Sequence, residues 1–185
     1  GGYQFPHKAD TPVKKIKSIA VIGAGNTAMD SSRTAKRMGI ETVNLVYRRS
    51  RLEMPARQEE IHHADQEGVN FYTLHSPLEF IGDGKGNLCA MKVQEMELGE
   101  PDDSGRRRPV PIEGAVKTLA VDTAVISIGQ GPNPLLIADC PDLKLNDRKG
   151  TIEADEITFQ TSYEDVFAGG DIVTGGATVI LAMGA

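Results

Sequence analysis

The sequence has no tryptophan, only two cysteines and no long apolar run. Cys89 and Cys140 lie far apart in no CxxC or metal-ligand spacing, so no dithiol pair is expected here. Neither a membrane helix of roughly 20 apolar residues nor a signal peptide is recognisable, and a cytoplasmic location is therefore expected. The net charge of −6 argues against nucleic acid as a partner, because phosphate backbones require a basic surface.

The length of 185 residues suits one domain with a substantial core. Residues 1–15 are polar, lack an initiator Met and are predicted to be an extended linker. Residues 176–185 look like the beginning of a helix that is cut off. We therefore expect a fragment of a longer protein, without activity of its own wherever that activity needs the missing parts.

The first half alternates between strand and helix patterns, with glycines or prolines at the boundaries. The predicted elements are a strand at 16–22, a helix at 26–38, a strand at 42–47, a helix from Pro55 to about 67 and a strand at 69–74. This βαβ order is typical of a parallel sheet in a nucleotide-binding domain.

The turn after the first strand carries the pattern GxGxxA. Gly23 permits the tight turn, Gly25 lets a pyrophosphate approach the backbone, and Ala28 is small enough for close packing of helix and strand. The backbone amides of Asn26, Thr27 and Ala28 are expected to point at the phosphates, helped by the helix dipole. An incidental glycine turn is the alternative, but the strand before it and the helix after it favour a dinucleotide.

Arginines follow the second strand, where an NAD enzyme has an acid that binds the ribose 2′-hydroxyl. A guanidinium at Arg48 or Arg49 can bind a 2′-phosphate through paired hydrogen bonds, so the sequence predicts NADP(H). Arg51 and Arg57 lie close behind. Arg48 is the best candidate, because Arg49 has the alternative of turning away to pair with an acid such as Glu53. A solvated basic patch is the other interpretation.

The pattern then changes. Residues 88–98 and 116–121 are predicted strands of a meander, joined by a polar loop at 99–109. A further apolar strand at 122–128 ends at Gly129, and the last third is predicted to hold short strands and a second glycine cluster.

The motifs resemble those of a known family in order along nearly the whole chain. The string GAGNTAMD from Gly23, then YRR from Tyr47, EMPAR from Glu53 and, near the end, FAGGD from Phe167 are similar to the small (beta) subunit of NADPH-dependent glutamate synthase and its flavoprotein relatives. Subunits of transhydrogenases, sulfide dehydrogenases and pyrimidine dehydrogenase-like enzymes share these motifs.

The resemblance implies an α/β fold: a Rossmann-like three-layer NADP(H)-binding domain with an antiparallel β-meander, inserted into an FAD-binding domain. It assigns residues 16–135 to the NADP(H) domain and 136–185 to a truncated return segment of the FAD domain. It implies cofactor contacts at Gly129, Gly170, Asp171 and Thr178. An iron–sulfur cluster is implied for the full-length protein, but no ligands for it are expected in this fragment.

The implied function is transfer of hydride from NADPH to FAD, supplying electrons for glutamate synthesis from glutamine and 2-oxoglutarate. No acid–base residue is needed for that step, so no catalytic residue is assigned. The implied partner is the glutamate synthase large subunit or another electron-accepting subunit. Two alternatives remain: a flavin subunit of one of the related enzymes, and a non-catalytic NADP(H)-sensing module.

Overall fold

The computed structural model describes residues 16–101, 105–147, 149–176 and 178–184. The regular elements are β1 (Ser18–Ile22), α1 (Asn26–Arg37), β2 (Thr42–Tyr47), a 3₁₀ turn (Arg51–Glu53), α2 (Gln58–Gln66), β3 (Asn70–Thr73), β4 (His75–Gly82), β5 (Leu88–Pro101), β6 (Arg107–Ala120), β7 (Thr123–Ile126), α3 (Pro134–Asp139), α4 (Asp171–Thr174) and α5 (Val179–Met183). They divide into two compact units, the first ending at Ile128 and the second beginning at Gly129. None of the described helices is long and apolar enough to cross a membrane.

The first unit contains two sheets. The strands β3, β2, β1 and β7 form a parallel sheet in that order, and β4, β5 and β6 form an antiparallel sheet. The register pairs Ile22 at the end of β1 with Val46 of β2 and with Ile126 of β7. Because the paired strands are parallel, their carboxyl ends, and the loops that follow them, lie at one edge of the sheet.

Both faces of the parallel sheet are buried, which explains why β1 is apolar from Ile19 to Ile22. Ile19 and Val21 belong to a core cluster that includes Met29 of α1 and Ile61 of α2. Alternate residues of the same strand, such as Ile22, pack with residues of β5 and β6 in a second cluster. The unit therefore has three layers: helices, parallel sheet and antiparallel sheet.

Ion pairs connect the two helices of this unit. Arg33 of α1 bonds to Glu60 and, at 3.0 Å, to Glu67 at the end of α2. Arg37 also donates to the Glu67 carboxylate, at 2.6 Å. The hydrogen bonds from Arg37 and then Arg33 hold the pKa of Glu67 below its ordinary value, although partial burial opposes this.

Among its described residues, the second unit has little regular structure beyond three short helices. Isolated antiparallel bridges join Leu145 to Ile152 and Gln160 to Phe167. The Ile152 amide donates to the Ile172 carbonyl at 2.9 Å, which attaches α4 to the first bridge. The short strands predicted for the last third are therefore only single bridges.

The α/β class, the three layers and the antiparallel meander were predicted correctly, but several boundaries were not. The whole of β4 was missed, and β6 begins at Arg107 inside the predicted loop. These strands were not predicted because they contain prolines, namely Pro77, Pro109 and Pro111. They are tolerated because β4 and β6 are the outer strands of their sheet, where a missing N–H breaks no ladder.

The second helix was placed too early, and α3 was not predicted. Residues Met54 and Arg57 have extended backbones, so α2 begins only at Gln58. Pro55 lies in the loop before the helix and not in its first turn. Pro134 does occupy the first turn of α3, where Asn133 caps the Leu135 amide at 3.0 Å.

We predict that Glu67→Gln lowers the free energy of unfolding by about 1–2 kcal/mol at neutral pH, because the bonds from Arg33 and Arg37 lose their charge. A carboxylate whose folded pKa is lowered stabilises the fold above its unfolded pKa, and this contribution disappears as the pH falls through the folded pKa. The difference from wild type should therefore vanish in acid. Urea unfolding at several pH values measures it, with the exposed Glu59→Gln as the matched control. A difference independent of pH would contradict the ion-pair explanation.

Candidate nucleotide-binding site

The turn between β1 and α1 requires glycine at its first position. Gly23 has φ of +126°, and its amide donates to the Val46 carbonyl at 3.0 Å. A Cβ on this residue would lie 2.2 Å from the Ser127 carbonyl oxygen. The Ser127 amide in turn donates to the Ile22 carbonyl at 2.7 Å. The turn is thus fixed between β2 on one side and the end of β7 on the other.

The beginning of α1 presents unpaired amides to an open space. Gly25 is the N-cap residue, and no atom would lie within 4 Å of a Cβ there. Asn26 and Thr27 are exposed, and no described residue accepts a hydrogen bond from their backbone N–H groups. Amides of this kind at a helix N-terminus favour a phosphate.

The expectation for Ala28 requires correction. Its amide does not point outward, because it donates to the Gly25 carbonyl at 3.0 Å, as in the first turn of a helix. Its side chain is completely buried in the cluster shared by α1 and the parallel sheet. Ala28 therefore serves the close approach of helix and strand, which its small size had predicted, and not the phosphates.

The loop after β2 folds back onto the glycine turn. The Ala56 amide donates to the Ala24 carbonyl at 3.1 Å, and the Arg57 amide donates to Asn26 Oδ1 at 3.0 Å. Met54 and Ala56 are buried with Ala24 in one cluster. Arg57, 31 residues from Asn26, is thereby placed beside the first turn of α1.

The four arginines of this loop have different environments. Arg48 and Arg57 are exposed, and neither side chain forms a hydrogen bond or ion pair with another described residue. Arg51 pairs with Asp65 and lies over the ring of Phe71, 4.6 Å from its centroid. Among the candidates, Arg48 and Arg57 are thus the ones whose guanidinium groups are available to a ligand.

Arg49 turns inward, which the sequence had left open. Its side chain is buried, and its Nε donates to the Arg107 carbonyl at 2.9 Å. The Glu53 carboxylate, suggested as its partner, accepts hydrogen bonds from the Ser50 amide at 3.1 Å, from the Ser50 hydroxyl and from Arg107 Nε at 3.3 Å. These bonds, above all the one from the Ser50 hydroxyl, hold the pKa of Glu53 below its ordinary value.

Part of this network has a recognisable signal in the sequence. Ser50 and Glu53 have the spacing of a capping box, and the structure forms both of its reciprocal bonds. Nothing in the sequence indicated that Arg107, 54 residues further on, would reach the same carboxylate.

The remaining candidate residues lie in the second unit. Gly129 (φ +88°) begins it, and Gly170 (φ +72°) precedes α4 with its would-be Cβ only 2.9 Å from the Ala182 carbonyl. Asp171 is the exposed first residue of α4, and Thr178 accepts a hydrogen bond from the Leu181 amide at 3.3 Å as the N-cap of α5. In the part of the chain described, no group of three or more His, Cys, Asp and Glu side chains is arranged to hold a metal.

Comparison with known proteins identifies similar sequences and folds. Residues 3–185 match the family model described as pyridine nucleotide-disulphide oxidoreductase. The chain is 46% identical over 93% of its length to the NADP(+)-dependent formate dehydrogenase subunit beta of Moorella thermoacetica, of which it covers 24%. It is 40% identical over 90% of its length to the glutamate synthase [NADPH] small chain of Azospirillum brasilense, of which it covers 34%. The chain thus spans only about a quarter to a third of the length of these relatives.

Solved structures show the same fold at low sequence identity. A thioredoxin reductase of T. acidophilum matches with a TM-score of 0.71 at 20% identity, over 91% of this chain and 48% of that one. Mycobacterium tuberculosis FprA in complex with NADPH matches with a TM-score of 0.67 at 19% identity, over 88% and 48%. At this identity the likeness establishes the fold alone.

We predict that Gly23→Ala lowers the free energy of unfolding by at least about 2 kcal/mol, because the added methyl meets the Ser127 carbonyl and the positive φ is strained. Gly25→Ala is the matched control, since its φ of −82° and open surroundings accept a methyl group. Chemical denaturation of both variants measures the difference. Equal stability of the two would contradict the close approach of the turn to β7.

Proposed function

This chain belongs to the pyridine nucleotide-disulphide oxidoreductase family, and from that premise we propose that it binds NADP(H) in the hydride-transferring subunit of a flavoprotein oxidoreductase. Residues 16–135 hold the dinucleotide. Residues 136–185 contribute to the flavin site of the longer protein. The observation that carries the proposal is the pair of unpaired amides at the start of α1, with the exposed guanidinium groups of Arg48 and Arg57 on the loop that covers the same turn.

The glycine turn fits a pyrophosphate. The exposed amides of Asn26 and Thr27 supply donors, and the absence of a side chain at Gly25 leaves room for close approach. The positive end of the α1 dipole favours the negative charge. Gly23 contributes by setting the turn, not by contact.

The loop after β2 fits the 2′-phosphate that distinguishes NADP(H) from NAD(H). Arg48 lies two residues beyond Val46, the register partner of Ile22, and so just past the strand end beside the glycine turn. Arg57 approaches from the other end of the loop through its bond to Asn26. Two guanidinium groups can surround a phosphate dianion, whereas an acidic side chain at this position would repel it. Arg49, which is buried and bonded to the Arg107 carbonyl, supports the loop.

The second unit fits a partial flavin site. The positive φ of Gly170 turns the chain so that Asp171 begins α4 with its carboxylate exposed. We assign Asp171 and Thr178 to flavin contacts, and Gly129 and Gly170 to cofactor contacts. With both cofactors bound, the nicotinamide would supply a hydride to the flavin, and the protein's contribution would be binding, orientation and exclusion of water.

The specific reaction we propose is electron supply for glutamate synthesis, with the large subunit of that enzyme as partner. Its support is the identity of 38–44% to three glutamate synthase small chains over about 90% of the chain. The relative at 46% identity, a formate dehydrogenase subunit, supports a second candidate in which the same module serves another redox subunit. In both, the nucleotide site has the same task.

We predict that Arg48→Ala weakens NADPH binding by about 1.5–3 kcal/mol, the contribution of one charge-assisted contact, and leaves NADH binding unchanged. Arg57→Ala should act in the same direction. Arg51→Ala is the matched control, since it removes the same charge from a side chain already bonded to Asp65. Isothermal titration of the 185-residue chain with each nucleotide measures the effect.

Two results would contradict this assignment. Equal binding of NADPH and NADH by the wild type would mean that the arginines form a solvated basic patch. Binding of neither nucleotide would exclude a site that the chain can form alone.

We predict that NADPH reduces the flavin of a chimera in which this chain replaces the matching residues of the Azospirillum brasilense small chain. Anaerobic titration, followed by loss of the visible flavin absorption, measures it. The same chimera with Arg48→Ala should need more NADPH, while reduction by dithionite stays unchanged. A chimera that retains flavin and binds NADPH without bleaching would instead support a sensing module.

A further inference from the structure

The hairpin of β5 and β6 extends beyond the core and reaches the loop after β2. Each of its strands is 14 residues long, and their pairing continues to Pro101 and Arg107. At this end Arg107 contacts the loop twice. Its carbonyl accepts from Arg49 Nε at 2.9 Å, and its own Nε donates to Glu53 Oε1 at 3.3 Å.

Glu53 is the point at which the loop is held. Its side chain is only 9% exposed, whereas that of Arg107 is 49% exposed. A carboxylate so nearly buried requires hydrogen-bonding partners, and Ser50 and Arg107 supply them. The Glu53 carbonyl also accepts from the Tyr47 hydroxyl at 2.7 Å, which attaches the loop to the end of β2.

The loop is therefore fixed at three places along its length. The Arg57 amide is bonded to Asn26 at one end, Tyr47 holds Glu53 in the middle, and Arg107 holds both Arg49 and Glu53 from the hairpin. Arg48 is adjacent to Arg49, whose carbonyl accepts from the Leu74 amide at 3.0 Å and whose side chain is bonded to the hairpin, so the hairpin helps to hold the segment from which the Arg48 guanidinium extends.

Resting on the proposed function, we infer that Arg107 is a positioning residue for the choice of NADPH over NADH. It acts through Glu53 and the loop, and not by touching the nucleotide. A loop held before binding loses less conformational entropy when its arginines meet the 2′-phosphate. NADH has no 2′-phosphate for these arginines to bind, so fixing the loop in advance does not strengthen its binding. The hairpin thus contributes to the selectivity for the 2′-phosphate of NADPH.

The test measures the dissociation constants of NADPH and NADH for the whole 185-residue chain. Arg107→Ala is expected to weaken NADPH binding about three- to tenfold, as for a partly exposed ion pair, with NADH unchanged. Arg107→Lys should restore part of the preference, since it can still donate to Glu53. The matched control is Arg108→Ala, because Arg108 is exposed and its side chain has no partner among the described residues. Equal losses in Arg107→Ala and Arg108→Ala would indicate a long-range charge effect and overturn the inference.

A second variant separates positioning from direct contact. Glu53→Gln keeps the shape of the side chain but removes the charge that holds Arg107. If Arg107 acts through the loop, this variant also loses NADPH preference, and it adds little to the loss in Arg107→Ala. If Arg107 binds the phosphate itself, releasing it leaves NADPH affinity unchanged or increased, and the inference is overturned. Thermal unfolding of each variant identifies general destabilisation, which would weaken both nucleotides alike and likewise contradict a selective role.

The same measurements separate failure of this inference from failure of the proposed function. A wild-type chain without preference for NADPH refutes the proposed site and the inference that depends on it. A wild-type preference that survives intact in Arg107→Ala refutes the inference alone.

Discussion

The structure depends on one close approach, between Gly23 and the backbone of Ser127. Because glycine has no Cβ, the end of β7 can lie against the turn that follows β1. The bonds from Gly23 to Val46 and from Ser127 to Ile22 then bring the carboxyl ends of three neighbouring strands together. Everything assigned to the first cofactor follows from this edge: the α1 N-terminus starts there, and the loop after β2 folds over it. The packing of the strands thus requires glycine at this position, and the room for a ligand is a consequence of that requirement.

Burial on both faces of the parallel sheet explains the rest of the first unit. Helices cover one face and the antiparallel sheet covers the other, each through its own apolar cluster. The antiparallel sheet does more than cover one face of the parallel sheet. A long hairpin extends past the core, and its far end contacts the loop that carries the arginines. The layer that covers the sheet also holds the loop, because Arg107 of the hairpin is bonded to both Arg49 and Glu53.

The sequence predicted what depends on local patterns. The βαβ periodicity, the glycine turn and β2 were found at or near their observed bounds, because alternating apolar burial and turn residues determine them locally. Two kinds of feature were not found. Strands β4 and the first part of β6 contain prolines, which are acceptable only at a sheet edge, and edge position is a property of the assembled sheet. The roles of the arginines depend on distant neighbours, as Arg49 and Arg51 show: one is bonded to Arg107 and the other lies between Asp65 and Phe71.

In the proposed function, the nucleotide site and the choice of electron acceptor are separable. Relatives named for formate dehydrogenase and for glutamate synthesis match 93% and 90% of the chain, at 46% and 40% identity. The contacts described in the first unit belong to the turn, the arginine loop and the layers that support them. In the proposed function those parts recognise a phosphate and a dinucleotide, and none of their described contacts discriminates among acceptors of the electrons. A module whose selectivity is confined to one edge of one sheet can be retained unchanged while the partner that receives the electrons differs.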